Sequence, residues 1–553
     1  MSTQRLRYCS LKLLSIWGLL LATFTLPYLL PGPPLSLYES RFDDSNQRQH
    51  LIATYGFDRS LPVQYAIWTQ RLVTGQWGLS RLYHRPVFGD IVQATGFTLL
   101  HLLWTTIACG VWTVVFKGVY RILQCLGISP PARERLIFLD TLPSFFVALI
   151  LHDVAVWQLG WIDLVNVALF DPAYYRKPLI MLIPASALAL TPLIVWHTSE
   201  PRDTVLAKTM GWRRFSPQWA RFGQRFRPLL GYFLMEVLLT EYVFSLPGLG
   251  SFGINALRRR DFPLLQGFIL GTGGLYMMLL IVFDRWPPNG HDTHTSWSSR
   301  LDNPPVPHGF RPVVQRTIWG LIVLFVLAIW APHLFPYDPT ETHAHDQLLL
   351  PNARYVLGTD FLGRDVLSRT IQGFRSSIPR IFLTTVLIIG MSGLLVGLAR
   401  FLPRALHRLW TAIVALLEAF PPILLAFMVF LVVEHYRWPL ETTLIIACLP
   451  VACTLPIWQG SRSHRIIAVA SIGELVLLLE VIFFYLRLSP EPITPTWGGD
   501  IRIGAQYSHM NIWALLAPVI AVAWSRSVFH QLSCLWRAPG PYVVTRHDVS
   551  ERD

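Results

Sequence analysis

The stretch Ile378-Pro-Arg-Ile-Phe-Leu-Thr-Thr-Val-Leu-Ile-Ile-Gly-Met-Ser-Gly-Leu-Leu-Val-Gly-Leu-Ala399 decides the fold class. Its length matches the roughly 20 apolar residues that a helix needs to cross a bilayer. Comparable stretches recur along the chain, and they predict membrane spans at about 12–30, 95–116, 136–158, 178–196, 228–246 and 264–284. After a gap come spans at about 315–333, 378–399, 409–432, 440–458, 465–487 and 511–528. The expectation is an all-α integral membrane protein with two sets of six helices.

Composition agrees. Of the 553 residues, 52% are hydrophobic and 14% charged, against roughly 25% charged in soluble domains. Mean hydropathy is +0.42. The net charge of +13 comes from short arginine runs beside apolar segments, the pattern of topology signals, and it forms no continuous basic surface for nucleic acid. The 21 tryptophans suit rings that favour the membrane–water interface. None of the six cysteines, Cys9, Cys109, Cys125, Cys448, Cys453 and Cys534, falls in a segment placed outside, so no structural disulfide or metal centre is expected. The N-terminal run Leu13 to Leu30 is too long for a signal-peptide core and is followed by Pro-Gly-Pro-Pro, so it reads as an uncleaved first helix.

Basic residues set the orientation. Lys117, Arg121, Arg133, Arg135, Lys208, Arg213, Arg214, Arg221, Arg400, Arg404, Arg408 and Arg462 mark inside loops. This places both termini in the cytoplasm. The Pro-rich, polar segment 286–313 reads as a linker between units 1–285 and 314–535, with a tail at 536–553. Each unit has one helix, a long external segment (31–94 or 334–377) and five closely spaced helices. A parallel duplication of this kind lets two units pair about an axis normal to the membrane, with a path between them.

Three stretches carry a specific resemblance. They are Tyr55 to Tyr65 with Gly75-Gln-Trp-Gly-Leu-Ser80 and Arg85-Pro-Val, Glu241 to Gly250 with Arg260-Asp-Phe-Pro263, and Tyr337-Asp-Pro-Thr340 with Leu357-Gly-Thr-Asp-Phe-Leu-Gly-Arg-Asp-Val-Leu-Ser-Arg369. The first two resemble one permease subunit of the dipeptide/oligopeptide/nickel ABC importers, and the third resembles its partner subunit. The chain thus looks like the two subunits fused. The resemblance implies one or two ABC ATPase subunits on the cytoplasmic face, a periplasmic or lipid-anchored substrate-binding protein outside, and a bacterial inner membrane with its lipids around the chain. With four lysines and no G-x-x-x-x-G-K-[ST] motif, the chain itself is expected to hold no cofactor. ATP and Mg would be bound by the partners.

The family's cytoplasmic coupling helix has a counterpart in Thr204 to Gly211, where Ala207 and Gly211, followed by Trp212, Arg213 and Arg214, would seat against an ATPase. An amphipathic cytoplasmic helix without that role is the alternative. In the second unit only Gln-Gly-Ser-Arg-Ser-His-Arg lies between Trp458 and Ile466, so the second coupling helix is missing. The family pattern resumes at Thr494-Pro-Thr-Trp-Gly498.

Acidic groups inside spans are costly and are candidate functional residues. Glu241 and Glu480 are expected at matching places in the two fifth helices, joined by Glu236 and by Glu418 before Phe-Pro-Pro. They would either line the path and close it by bonding across the axis, or satisfy neighbouring backbone groups. His101 reads as a packed, hydrogen-bonded residue. Gly358, Asp360, Gly363, Arg364 and Asp365 would either seat the binding protein or pair locally to fold the external loop. The leading reading is a permease for ATP-driven import of peptides or similar small solutes by alternating access. Two others stay open: an ion-coupled secondary transporter using Glu241, Glu480 and His101, and a degenerate permease acting as a scaffold or sensor.

Overall fold

A computed structural model describes residues 3–30, 32–38, 45–126, 144–154, 160, 230–284, 310–334, 337–418, 420–436, 438–454, 462–488 and 494–535. The coupling stretch 204–214, the expected span 178–196, the tail 536–553 and most of the linker lie outside these residues. Among the described residues the secondary structure is helical: α1 Thr3–Leu29, α2 Ser45–Tyr55, α3 Leu61–Val73, α4 Val87–Cys125, α5 Ser144–Asp153, α6 Leu230–Val243, α7 Leu249–Arg259 and α8 Phe262–Asp284. The second half of the chain adds α9 Phe310–Leu334, α10 Val366–Ala399, α11 Arg404–Glu418, α12 Pro422–His435, α13 Leu440–Thr454, α14 Arg462–Tyr485, α15 Trp497–Tyr507 and α16 Trp513–Leu535.

By length and composition five of these helices, α4, α8, α10, α14 and α16, carry windows able to cross a membrane, and α1, α9, α12 and α13 carry shorter apolar ones. The chain is an all-α membrane protein, and the described residues do not establish the full dozen spans. Several expected boundaries move; the helix expected at 95–116, for one, runs Val87–Cys125. Helix α10 starts at Val366 instead of near 378, because the Asp365 carboxylate accepts from Ser368 N at 2.8 Å and caps its first turn. Its 34 residues reach about 51 Å, longer than the roughly 30 Å hydrocarbon layer. The span expected at 409–432 is two helices, α11 and α12. Pro421 and Pro422 follow Phe420 there, and proline removes amide donors and drives its predecessor out of the helical region.

Packing centres on α10, which lies against α9, α13, α14 and α16. Trp497, fully buried at the start of α15, docks on α10: its Nε1 donates to Thr370 O at 3.1 Å and its ring meets Phe374 edge-on at 4.8 Å. Gly373 makes room, since a Cβ there would collide with the indole. The order of α6–α7–α8, with an 11-residue helix in the middle, recurs in α14–α15–α16, with a glycine at the same kind of crossing. Gly250 packs on the Leu238 carbonyl and Gly498 on the Val481 carbonyl, each so close that any side chain would overlap backbone.

Candidate functional site

Two loops at the starts of α4 and α10 share one backbone plan. In the first, Val87 N donates to Gly78 O at 3.0 Å and Ser80 N to Arg85 O at 2.9 Å. In the second, Val366 N donates to Gly358 O at 3.1 Å and Asp360 N to Arg364 O at 3.0 Å. Gly78 and Gly358 both take positive φ, +93° and +74°, a region that L side chains avoid. The loops come from different motifs, yet three of the four bonded positions carry the same residue in both: Gly78 and Gly358, Arg85 and Arg364, Val87 and Val366.

Each loop is fixed by a carboxylate. Asp261, just before α8, accepts from Ser80 Oγ at 2.6 Å and Leu82 N at 2.9 Å. In the second loop Asp360 accepts from Leu362 N at 2.9 Å, Arg364 N at 3.0 Å and Arg364 Nε at 2.8 Å. Arg364 Nη2 adds a contact at 2.7 Å, a two-pronged grip that is strong and directional. Arg369, on the first turns of α10, donates to Asp500 (Nε at 3.0 Å) and to Pro339 O at 3.0 Å. Gly363, at φ +75°, packs on the His343 carbonyl. Asp360, Gly363, Arg364 and Asp365 therefore fold the loop locally. Upstream, the Thr340 hydroxyl and amide donate to Asp338 Oδ1 at 2.6 and 2.7 Å and hold its carboxyl below the usual carboxylate range.

The acidic residues of α6 stabilise helix N-termini. Glu241 Oε2 accepts from Gly250 N at 2.9 Å, at the start of α7, and Thr98 Oγ1 accepts from Leu249 N at 2.9 Å. His101 Nδ1 lies 3.3 Å from Glu241 Oε1, both side chains fully buried. Glu236 Oε2 accepts from Phe145 N at 3.3 Å, at the start of α5. A carboxylate suits either place, where unpaired amides and the helix dipole present positive charge.

Glu480 behaves differently. Its Oε1 lies 2.8 Å from Arg380 Nη1, and Arg380 Nε lies 2.8 Å from Glu441 Oε1, so one guanidinium ties α10, α13 and α14 together. Of the two alternatives for Glu241 and Glu480, a bond across the axis is not formed among the described residues, and each is held by partners within its own half of the chain. Nor do they occupy matching places. Aligning the Gly250–Leu238 and Gly498–Val481 crossings sets Glu480 opposite Val237, beside Glu236. Spacing to the following motif misled because the connection to the short helix differs in length between the halves. Glu418 ends α11, and its side chain is outside the described set.

Contacts between the two halves also form. Ser508 Oγ donates to Asp153 Oδ1, and Arg260 Nη2 lies 3.0 Å from Glu434 Oε1. Phe145 and Tyr485 rings stand 5.9 Å apart. At the N-terminal ends of α6 and α12, Gly231 faces Pro421 and Pro422. Sequence reading did not single out Asp153 or Ser508.

No family model matches the chain. Among curated proteins, a protein of Brucella ovis named as a peptide permease is 29% identical over 322 residues, covering 50% of this chain and 96% of the relative. A counterpart in Brucella suis matches to the same extent. The glutathione transport system permease protein GsiC of Escherichia coli is 24% identical over 276 residues, covering 47% of this chain and 88% of the relative. The chain is thus a multi-pass membrane protein homologous over about half its length to transport permeases.

Proposed function

We propose that this chain is a fused pair of permease units, 1–285 and 314–535, that forms the membrane path of an ATP-driven ABC importer for peptides or similar small solutes. The observation that carries the reading is the coverage: nearly the whole of a permease relative, 96%, corresponds to only half of this chain. A chain holding two such units accounts for the rest, and the twin loops before α4 and α10 support the duplication. The two units would rock about the shared path, giving access to one side and then the other.

Partner ATPases would bind ATP and Mg and press on the cytoplasmic segment with Ala207, Gly211, Trp212, Arg213 and Arg214. A periplasmic or lipid-anchored binding protein would deliver cargo to the opposite face at the bacterial inner membrane. Helix α13 ends at Thr454 and α14 starts at Arg462, and the short connection between them leaves no length for a second docking helix. One motor would therefore press through the first unit alone. The test is purification of the tagged chain from its host in mild detergent, with mass spectrometry of what accompanies it. Co-purifying ABC ATPase is expected. A folded, monodisperse chain that brings none, and shows no ATP-dependent uptake in vesicles, would sink the reading.

A further inference from the structure

The two ends of the contact between the halves differ in chemistry. At one end the groups that meet are polar: Ser508, after α15, donates to Asp153 at the end of α5, and Arg260, after α7, pairs with Glu434 on α12. At the other, a glycine faces two prolines. Water can replace a carboxylate–hydroxyl or exposed ion-pair contact at small net cost, because the parted groups are then hydrated. Parting the apolar end exposes surface that water does not compensate. The polar seam is the end that can open.

The seam is also wired to a loop. Asn511, fully buried, lies three residues beyond Ser508 and donates from its side-chain amide to three carbonyls: Leu349 at 3.2 Å, Leu357 at 3.2 Å and Thr359 at 3.1 Å. Its own Oδ1 accepts from Trp513 N at 3.1 Å, at the start of α16. Leu349, Leu357 and Thr359 belong to the loop that Asp360 and Arg364 fold. Any displacement of that loop pulls on Asn511, and Asn511 shares one short segment with Ser508.

We propose that Asp153 and Ser508 form the latch that closes the path at this end, and that Asn511 is the positioning residue through which the 344–365 loop releases it. The inference rests on the importer reading, and its test separates the two. The cysteine pair D153C/S508C is placed in a chain whose native cysteines are replaced, and folding of the reduced protein is first established by monodisperse elution in detergent and a melting temperature near that of the parent. Oxidation is expected to abolish uptake and reduction to restore it. Uptake that persists with the bridge closed would overturn the latch. In the same background N511A is expected to change the rate of bridge formation about tenfold, the scale of ordinary site-to-site coupling. An unchanged rate would overturn the wiring. That rate needs no transport, so it decides the wiring even where the parent chain itself moves no solute and the importer reading fails.

Discussion

Gly78 and Gly358 do the same job 280 positions apart: each carbonyl receives the first amide of a long helix, Val87 at 3.0 Å and Val366 at 3.1 Å. Both sit at positive φ, which lets the chain reverse immediately before α4 and α10.

Substituting these glycines tests the point. G358A puts a Cβ against the Leu349 carbonyl and forces a left-handed alanine, a change expected to destabilise by at least about 1–2 kcal/mol. G96A on α4, where a Cβ meets nothing within 4 Å, is expected to be neutral or slightly stabilising. Thermal unfolding in detergent should separate the two. Equal melting temperatures would refute the structural role given to Gly358.

Glu241 offers a second test. E241Q keeps an acceptor for Gly250 N, whereas E241L leaves that buried amide without one, at a cost of about 1–3 kcal/mol. If Glu241 is a helix cap, uptake should follow stability: near parental in E241Q, low in E241L in proportion to lost folded protein. A folded E241Q chain that fails to transport would instead assign its charge to the path.

Arg380 is the third. R380A leaves Glu441 and the buried Glu480 without their cation, and breaking such a pair from one side costs about 3–5 kcal/mol. The triple variant R380A/E441Q/E480Q removes the stranded charges and is expected to recover much of the lost thermal stability. Failure of the triple variant to improve on R380A would show that guanidinium packing, on the Phe484 ring 5.3 Å away, matters more than charge.

Trp497 supplies a fourth. W497A empties a fully buried site between α10 and α15 and is expected to cost about 3–5 kcal/mol. Thermal unfolding in detergent should show the loss, and a melting temperature equal to that of the parent chain would refute the docking role given to Trp497.

Much of this was legible in the residues, for identifiable reasons. Runs such as Phe262–Val282 and Ala468–Tyr485 announce membrane helices by apolarity alone. Helix starts were less visible: the expected start of α10 fell at 378 because the stretch Val366 to Ser377 carries polar residues, yet Asp365 caps a helix there. Pro421-Pro422 lay in plain view inside a predicted span, but apolarity masked a break that backbone chemistry requires. At the candidate site, the apolar residues around Glu241 and Glu480 placed both inside spans, and both are buried. Their partners could not be read, because His101 lies 140 positions from Glu241 and Arg380 lies 100 from Glu480. Ser508 and Asp153, 355 positions apart, are ordinary residues made notable only by where folding brings them.

The Arg380 bridge also bears on how the chain is made. Arg380 leaves the ribosome first, and Glu480 follows 100 residues later, a lag of about 5–20 seconds at ordinary synthesis rates. During that interval α10 carries a cation at the edge of its apolar run with no carboxylate to neutralise it. The pair closes only when Glu441 and then Glu480 have followed Arg380 out of the ribosome, so the bridge joins an early helix to two that are made later.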